Sequence, residues 1–231
     1  MIEVIAFDAD DTLWHNETLY SENQEKFQRL LLGYRDAQWI AKKLYETEIA
    51  NLKHFGYGVK GFTLSMIETA IELTEGRIQG VEIQEILNFA KEMLAAPVEV
   101  LDGAREAVEA LAQRYPLTLI TKGDLFDQET KIARSRLGHL FSHIEIWSEK
   151  DQESYRALFA KHKLDPARFL MVGNSLKSDV LPVLACGGAA VYIPYKTTWA
   201  HERESEPQLW EQGYYRLEHI GQLPELVKGL K

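Results

Sequence analysis

Cysteine is nearly missing from this 231-residue chain. Cys186 stands alone, which excludes an intrachain disulfide and suits a reducing compartment. It precedes Gly187-Gly188 in an apolar stretch and reads as a core residue, not a nucleophile. A basic surplus is missing too: 26 Lys and Arg face 35 Asp and Glu, a formal charge of −9. Nonspecific nucleic-acid binding and docking on an anionic membrane both want a basic face, so neither is expected. An anionic substrate has to be drawn into a local cationic pocket against the overall field. No apolar run approaches the roughly 20 residues of a membrane span, and no basic leader precedes the first strand-like run. Cytosol is therefore the expected location. There is no Walker-type glycine loop and no Gly-x-Ser-x-Gly elbow. His139 and His143 have the spacing of a zinc pair, but no Glu lies between them and Gly138 argues against one continuous helix. No zinc site is expected.

What is present reads as a globular α/β chain. Hydrophobic content of 45% is ordinary for a protein with a sizeable core, and the length fits one large domain or a core with a smaller insert. Strand-like apolar runs fall at 2–7, 117–120, 144–147, 169–172 and 189–193, with helical stretches at 104–114, 128–137, 154–162 and 176–184 between them. That alternation predicts a parallel sheet with helices on both faces. A strand-like segment at 214–217 and a helix-like one at 223–230 are expected to close the sheet. Residues 15–97 break the rhythm. Ser21 with Gln24 makes a capping box. Phe27, Leu30, Leu31 and Tyr34 then share a helical face, and Phe62, Met66, Ile67, Ala70 and Ile71 make a broader stripe. Ile83, Ile86, Leu87, Ala90 and Leu94 repeat the spacing. The segment predicts a small antiparallel bundle, with Gly56-Tyr57-Gly58 and Gly61 as a loop between helix pairs.

The chemistry begins where the first apolar run stops. Val4-Ile5-Ala6-Phe7 leads straight into Asp8-Ala9-Asp10-Asp11-Thr12-Leu13-Trp14. Carboxylates crowded at the end of a buried strand have no packing rationale, and that end of an open α/β sheet is where ligands bind. One residue separates Asp8 and Asp10, so strand alternation can aim both the same way. Two like charges held together must be offset by a cation, a proton or both. Asp11 and Thr12 read as turn formers. Downstream, Thr121 ends Leu117-Thr118-Leu119-Ile120, and Lys150 follows Ile144-Glu145-Ile146-Trp147. Gly173-Asn174-Ser175-Leu176-Lys177-Ser178-Asp179 follows Phe169-Leu170-Met171-Val172.

Four motifs in this order resemble the haloacid dehalogenase-like (HAD) superfamily, whose signature is Asp-x-Asp-x-Thr after the first strand. The resemblance implies a doubly wound parallel-sheet core from 1–14 and 98–231, with 15–97 as an inserted helical cap whose connections near Trp14 and Pro97 are hinges. It implies that Asp8 is the nucleophile, forming an aspartyl phosphate, and that Asp10 protonates the leaving oxygen and then deprotonates the attacking water. Thr121 and Lys150 would hold the phosphoryl oxygens. Asp8, the Asp10 carbonyl, Asn174 and Asp179 would hold Mg2+. Two positions depart from the family pattern: Asp151 stands where proline is frequent, and Asn174 where aspartate is more usual. Ser175 and Ser178 read as helix caps, and Lys177 as a surface or salt-bridging residue. Trp14, His15 and Tyr20 are expected to face the leaving group.

The implied activity is magnesium-dependent hydrolysis of a small phosphorylated metabolite. A phosphomutase or phosphonate hydrolase would use the same core. A haloacid dehalogenase is a further alternative: Asn174 resembles that branch, whereas Asp10 counts against it because no leaving alcohol needs a proton there. A non-catalytic binding protein is disfavoured by the presence of Asp8, Asp10, Thr121, Lys150 and Asp179 together. No motif encodes the identity of the substrate or the oligomeric state.

Overall fold

Six parallel strands organise the computed structural model, which describes residues 1–196, 199, 201 and 213–230. They are β1 (Val4–Phe7), β2 (Leu117–Lys122), β3 (His143–Trp147), β4 (Phe169–Gly173), β5 (Ala189–Tyr192) and β6 (Tyr215–Arg216). Their order across the sheet is β3-β2-β1-β4-β5-β6. The chain therefore builds outward from β1 to one side, then returns to β4 on the other. The loops after β1 and β4 part at that reversal of strand order, which is where an open α/β sheet leaves a crevice for ligands.

Side-chain alternation divides the apolar residues between the two faces. Ile5, Phe7, Leu117, Leu119, Leu170 and Val172 pack with Val108 and Leu111 of α5 (Ala104–Ala112) and Val227 of α9 (Leu223–Gly229). Ala6, Ile120, Phe169 and Met171 pack with Tyr155, Leu158 and Phe159 of α7 (Gln152–His162) on the opposite face. Burial on both faces explains why these strands read as unbroken apolar runs. At about 1.5–3 kcal/mol per fully buried large side chain, the two layers hold the strand ends rigidly enough to aim polar groups. Among the described residues no helix is long and apolar enough to cross a membrane.

Residues Met1–Glu17, Val98–Lys122 and Thr130–Lys231 form one compact unit. A second comprises Thr18–Pro97 with Gly123–Glu129. Its core is contributed by α1 (Glu17–Leu31), α2 (Ala37–Phe55), α3 (Val59–Leu73) and α4 (Gly80–Ala95). Phe27, Leu31, Ile40, Leu44, Phe62, Met66, Ala70, Ile86, Ala90 and Met93 meet there.

Two local expectations fail in this insert. Helix α1 starts four residues before Ser21, so no capping box forms there; the Asp11 carboxylate instead accepts the N–H groups of Asn16 and Glu17. Gly61 lies inside α3 rather than in the preceding loop. It is needed because a Cβ there would come within 2.7 Å of the Gly56 carbonyl oxygen.

Candidate active site

The polar residues at the C-terminal edge of the sheet are held by β1, β2 and β4, the three central strands, and by the loop after β3. The Asp8 N–H donates to the Val172 carbonyl (2.9 Å), continuing the β1–β4 pairing one step beyond the strand. The chain then turns tightly: the N–H groups of Thr12, Leu13 and Trp14 all point at the Ala9 carbonyl. The turn needs a left-handed residue, and Asp11 supplies it with φ of 62°, a conformation that aspartate tolerates better than most. Burial, then the charge of Asp10, push the Asp11 carboxyl up to about 7.

Asp8 is fixed through both oxygens. Thr12 Oγ1 donates to Asp8 Oδ2 (2.8 Å), and Lys150 Nζ lies 2.5 Å from Asp8 Oδ1. The same ammonium donates to Asp179 Oδ1 at 2.9 Å. Asp179 Oδ2 accepts the Ser175 N–H (3.0 Å), and Gly173 must be glycine because any Cβ there would overlap this carboxylate. Lys150 is only 3% exposed and Asp179 1%. Two buried carboxylates thus share one ammonium. Burial raises the Asp179 carboxyl to about 7; Lys150 opposes the shift and Asp8 adds to it. Burial also works against the Lys150 ammonium, but Asp179 and Asp8 more than offset it and keep its pKa above the usual lysine value.

Asn174 Oδ1 lies 3.3 Å from Thr12 Oγ1. Thr12 has one hydroxyl proton, and the shorter bond to Asp8 takes it, so the amide oxygen keeps lone pairs available. Thr121 is 1% exposed and its hydroxyl has no hydrogen-bond partner. Leaving a buried hydroxyl unpaired costs about 1–3 kcal/mol, a cost that an oxygen-rich ligand would remove.

Asp10 faces other partners. Its Oδ1 accepts from Trp14 Nε1 (2.7 Å), and both its oxygens accept from Lys131 Nζ, at 2.8 and 2.7 Å. Lys131, on α6 (Leu125–Ser135), also donates to Asn16 Oδ1 at 3.1 Å. The expectation that Trp14 faces a leaving group is overturned, because its side chain is fully buried beneath the turn and serves Asp10. His15 Nδ1 shares a 2.6 Å hydrogen bond with the Tyr195 hydroxyl. Tyr20 belongs to the second unit and packs on Phe62.

Of the residues expected from the sequence, the structure joins Asp8, Lys150, Asp179 and, through Thr12, Asn174 by direct contacts. The Asp10 carboxylate is bound outside that cluster, and Thr121 makes no hydrogen bond to it. Lys131 was not expected, and neither was Lys122, which donates to Ser178 Oγ (3.0 Å) and Glu149 (3.4 Å). A lysine on an amphipathic helix looks like any solvated lysine, so Lys131 carries no local signal.

The haloacid dehalogenase-like hydrolase family model matches residues 2–187. Among solved structures, a haloacid dehalogenase-like family hydrolase from Xanthomonas campestris is 45% identical, with a TM-score of 0.88 over 99% of this chain and 91% of its own. A protein from Haemophilus somnus 129PT described as a predicted phosphoglycolate phosphatase is 18% identical, with a TM-score of 0.62 over 98% of both chains. The L-2-haloacid dehalogenase from Xanthobacter autotrophicus is 14% identical, with a TM-score of 0.67 over the full length of both. At such identities the last two speak for the fold alone. No protein of curated function matches.

Proposed function

The chain belongs to the haloacid dehalogenase-like hydrolases, and from that premise we propose that it hydrolyses phosphate monoesters of small metabolites, using Asp8 as nucleophile and Mg2+ as cofactor. The observation that carries this reading is the Asp10 carboxylate, fixed by Lys131 and Trp14. Displacing halide needs no proton, whereas expelling an alcohol does.

In the first step an Asp8 oxygen attacks phosphorus, the ester P–O bond breaks, and Asp10 gives its proton to the leaving oxygen. In the second, water attacks phosphorus, Asp10 takes the water's proton, and the Asp8 carboxylate leaves. Thr12 and Lys150 orient Asp8 for attack. The Thr121 hydroxyl and the Lys150 ammonium are suited to the phosphoryl oxygens, where charge develops. Lys131 and Trp14 position the Asp10 carboxyl, and the proton it gives up in the first step is replaced by the one it takes from water in the second. To act as an acid it must enter the first step protonated, with one Lys131 contact given up to the leaving oxygen.

Magnesium suits this donor set because the atoms are hard oxygens and two buried carboxylates face one ammonium, leaving a negative charge to balance. Among the described residues no three His, Cys, Asp or Glu side chains converge on one point. The remaining protein ligands would therefore be the Asp10 carbonyl and Asn174 Oδ1, beside Asp8 and Asp179. The ion would polarise the phosphoryl group and lower its charge.

The test is phosphate release from aryl and alkyl phosphates with and without Mg2+. Turnover should disappear in excess chelator and return with added Mg2+; full activity without the metal would remove it from the mechanism. Asp10→Asn should slow alkyl phosphate hydrolysis by roughly 100- to 10,000-fold. The deficit should be much smaller with an aryl leaving group, which needs no protonation; equal deficits would count against the acid role.

Asn174 supports one alternative, metal-free dehalogenation of a small 2-haloacid. Halide release with no phosphate release would replace the first reading. Asn174→Asp distinguishes ligand from bystander: an added carboxylate should lower the Mg2+ concentration for half-maximal activity. An unchanged requirement in a folded variant would remove residue 174 from the ligand set.

A further inference from the structure

Three lysines at or beyond the C-terminal ends of the strands are matched to carboxylates. Lys150 is paired with Asp8 and Asp179, Lys131 with Asp10, and Lys122 with Glu149. Lys177 has no such match. It lies two residues before Asp179, in the turn that follows β4, and is partly buried. Its ammonium donates to His201 Nε2 (2.9 Å) and to the His201 carbonyl (3.2 Å). Among the described residues no carboxylate pairs with it.

An ammonium carries three donors, and these contacts use two. The imidazole nitrogen must accept, so His201 is held as the neutral tautomer with its lone pair on Nε2 and contributes no charge of its own. One N–H and a full positive charge are left over, in a protein whose formal charge is −9. Such a charge has no shortage of acidic partners elsewhere on the chain, so its pairing with a neutral ring leaves it available to a ligand.

The segment that brings His201 also makes two other contacts. Tyr195 bonds His15, in the segment after β1, and the Trp199 ring packs tilted against His201 with ring centroids 5.0 Å apart. Tyr195, Trp199 and His201 all follow β5, whose C-terminal end lies on the same sheet edge as Asp8 and Asp10. These contacts place Tyr195 beside the residues after β1 and His201 beside the turn after β4.

We propose that Lys177, held by His201, binds a second acidic group on the substrate, so that the preferred esters carry a carboxylate or a second phosphate on the leaving portion. This deepens the phosphatase reading and rests on it. The assignment differs from the salt-bridging or surface role expected of Lys177 from sequence, because its observed partner carries no charge.

The experiment uses matched substrates: propyl phosphate against 3-phosphopropionate for the carboxylate, and fructose 6-phosphate against fructose 1,6-bisphosphate for the second phosphate. The full-length enzyme should favour the acidic member of at least one pair by roughly ten- to hundredfold in kcat/KM, the worth of one hydrogen bond to a charged group. Lys177→Met should collapse that ratio, mainly through KM, and Lys177→Arg should restore most of it, which a merely structural role would not do. Equal losses on both members of each pair, or no acidic preference in the wild type, would overturn the proposal. The two readings fail separately. If no ester releases phosphate, calorimetric titration of the same compounds into Asp8→Asn, with and without Lys177→Met, still reports the subsite. A Lys177-dependent gap in affinity would retain it without the phosphatase reading, and no gap would remove it.

Discussion

Asp8→Asn should stop turnover, lowering kcat by roughly 10,000-fold or more, as the loss of a nucleophile does in enzymes that form covalent intermediates. The amide has the shape of the carboxylate, so the contacts to Thr12 and Lys150 can be approximated, but its oxygen is a poor nucleophile. The substitution also changes the buried charge. The wild-type cluster has Asp8 and Asp179 against Lys150, whereas the variant has one carboxylate against one ammonium. Without added metal, Asp8→Asn should therefore be at least as stable as the wild type. Burst and steady-state phosphate release test the first statement, and urea unfolding followed by circular dichroism tests the second. Wild-type rates in the variant would rule out covalent catalysis by Asp8. A marked loss of stability would mean that its charge, not its shape, holds the loop.

Lys150→Met should have the largest effect on stability. Methionine keeps much of the length of the side chain but leaves two carboxylates buried without their cation. Breaking a buried ion pair from one side costs about 3–5 kcal/mol, because the remaining charge has neither water nor a partner. For a chain of this size each kcal/mol moves Tm by about 2–4 °C, so a fall of roughly 6–20 °C is expected. The double variant Lys150→Met with Asp8→Asn should recover part of the loss, since one of the stranded charges is gone, and the non-additivity measures the coupling. A shift of less than about 2 °C would mean that the carboxylates protonate or hydrate at little cost.

Much of the site was legible because its signals are local. Asp8, Thr121 and the 173–179 motif each mark an abrupt change from apolar to polar at the end of a buried strand. Contacts across the fold were not legible. Lys131 meets Asp10 over a separation of 121 residues, and no pattern on α6 distinguishes it from its solvated neighbours. Trp14 was misread because the left-handed turn at Asp11 folds it under the loop, a consequence of backbone geometry rather than of residue type. Helix α2 went unnamed for another reason. Its buried face includes Thr47 and Asn51, and Asn51 bonds Ser65 and Glu68, so a polar pair interrupts the apolar stripe by which helices are found. The resemblance implied a doubly wound core, but the order of the six strands was not legible, since periodicity identifies strands but not their neighbours.

Where the chain leaves the core near Trp14 and where it returns near Val100, the two connections pair. The His15 N–H donates to the Glu99 carbonyl and the Leu101 N–H to the Leu13 carbonyl, both at 2.9 Å. The core thus closes the base of the inserted loop by itself. Lengthening what lies between the paired ends costs the core little loop-closure entropy, about 0.6 kcal/mol for each doubling. In evolutionary terms this makes residues 18–97 an exchangeable cassette: recombination could replace the helical insert with a longer, shorter or differently folded one beyond that hairpin-like seam, while Asp8, Asp10 and Asn16, in the first unit, kept their places.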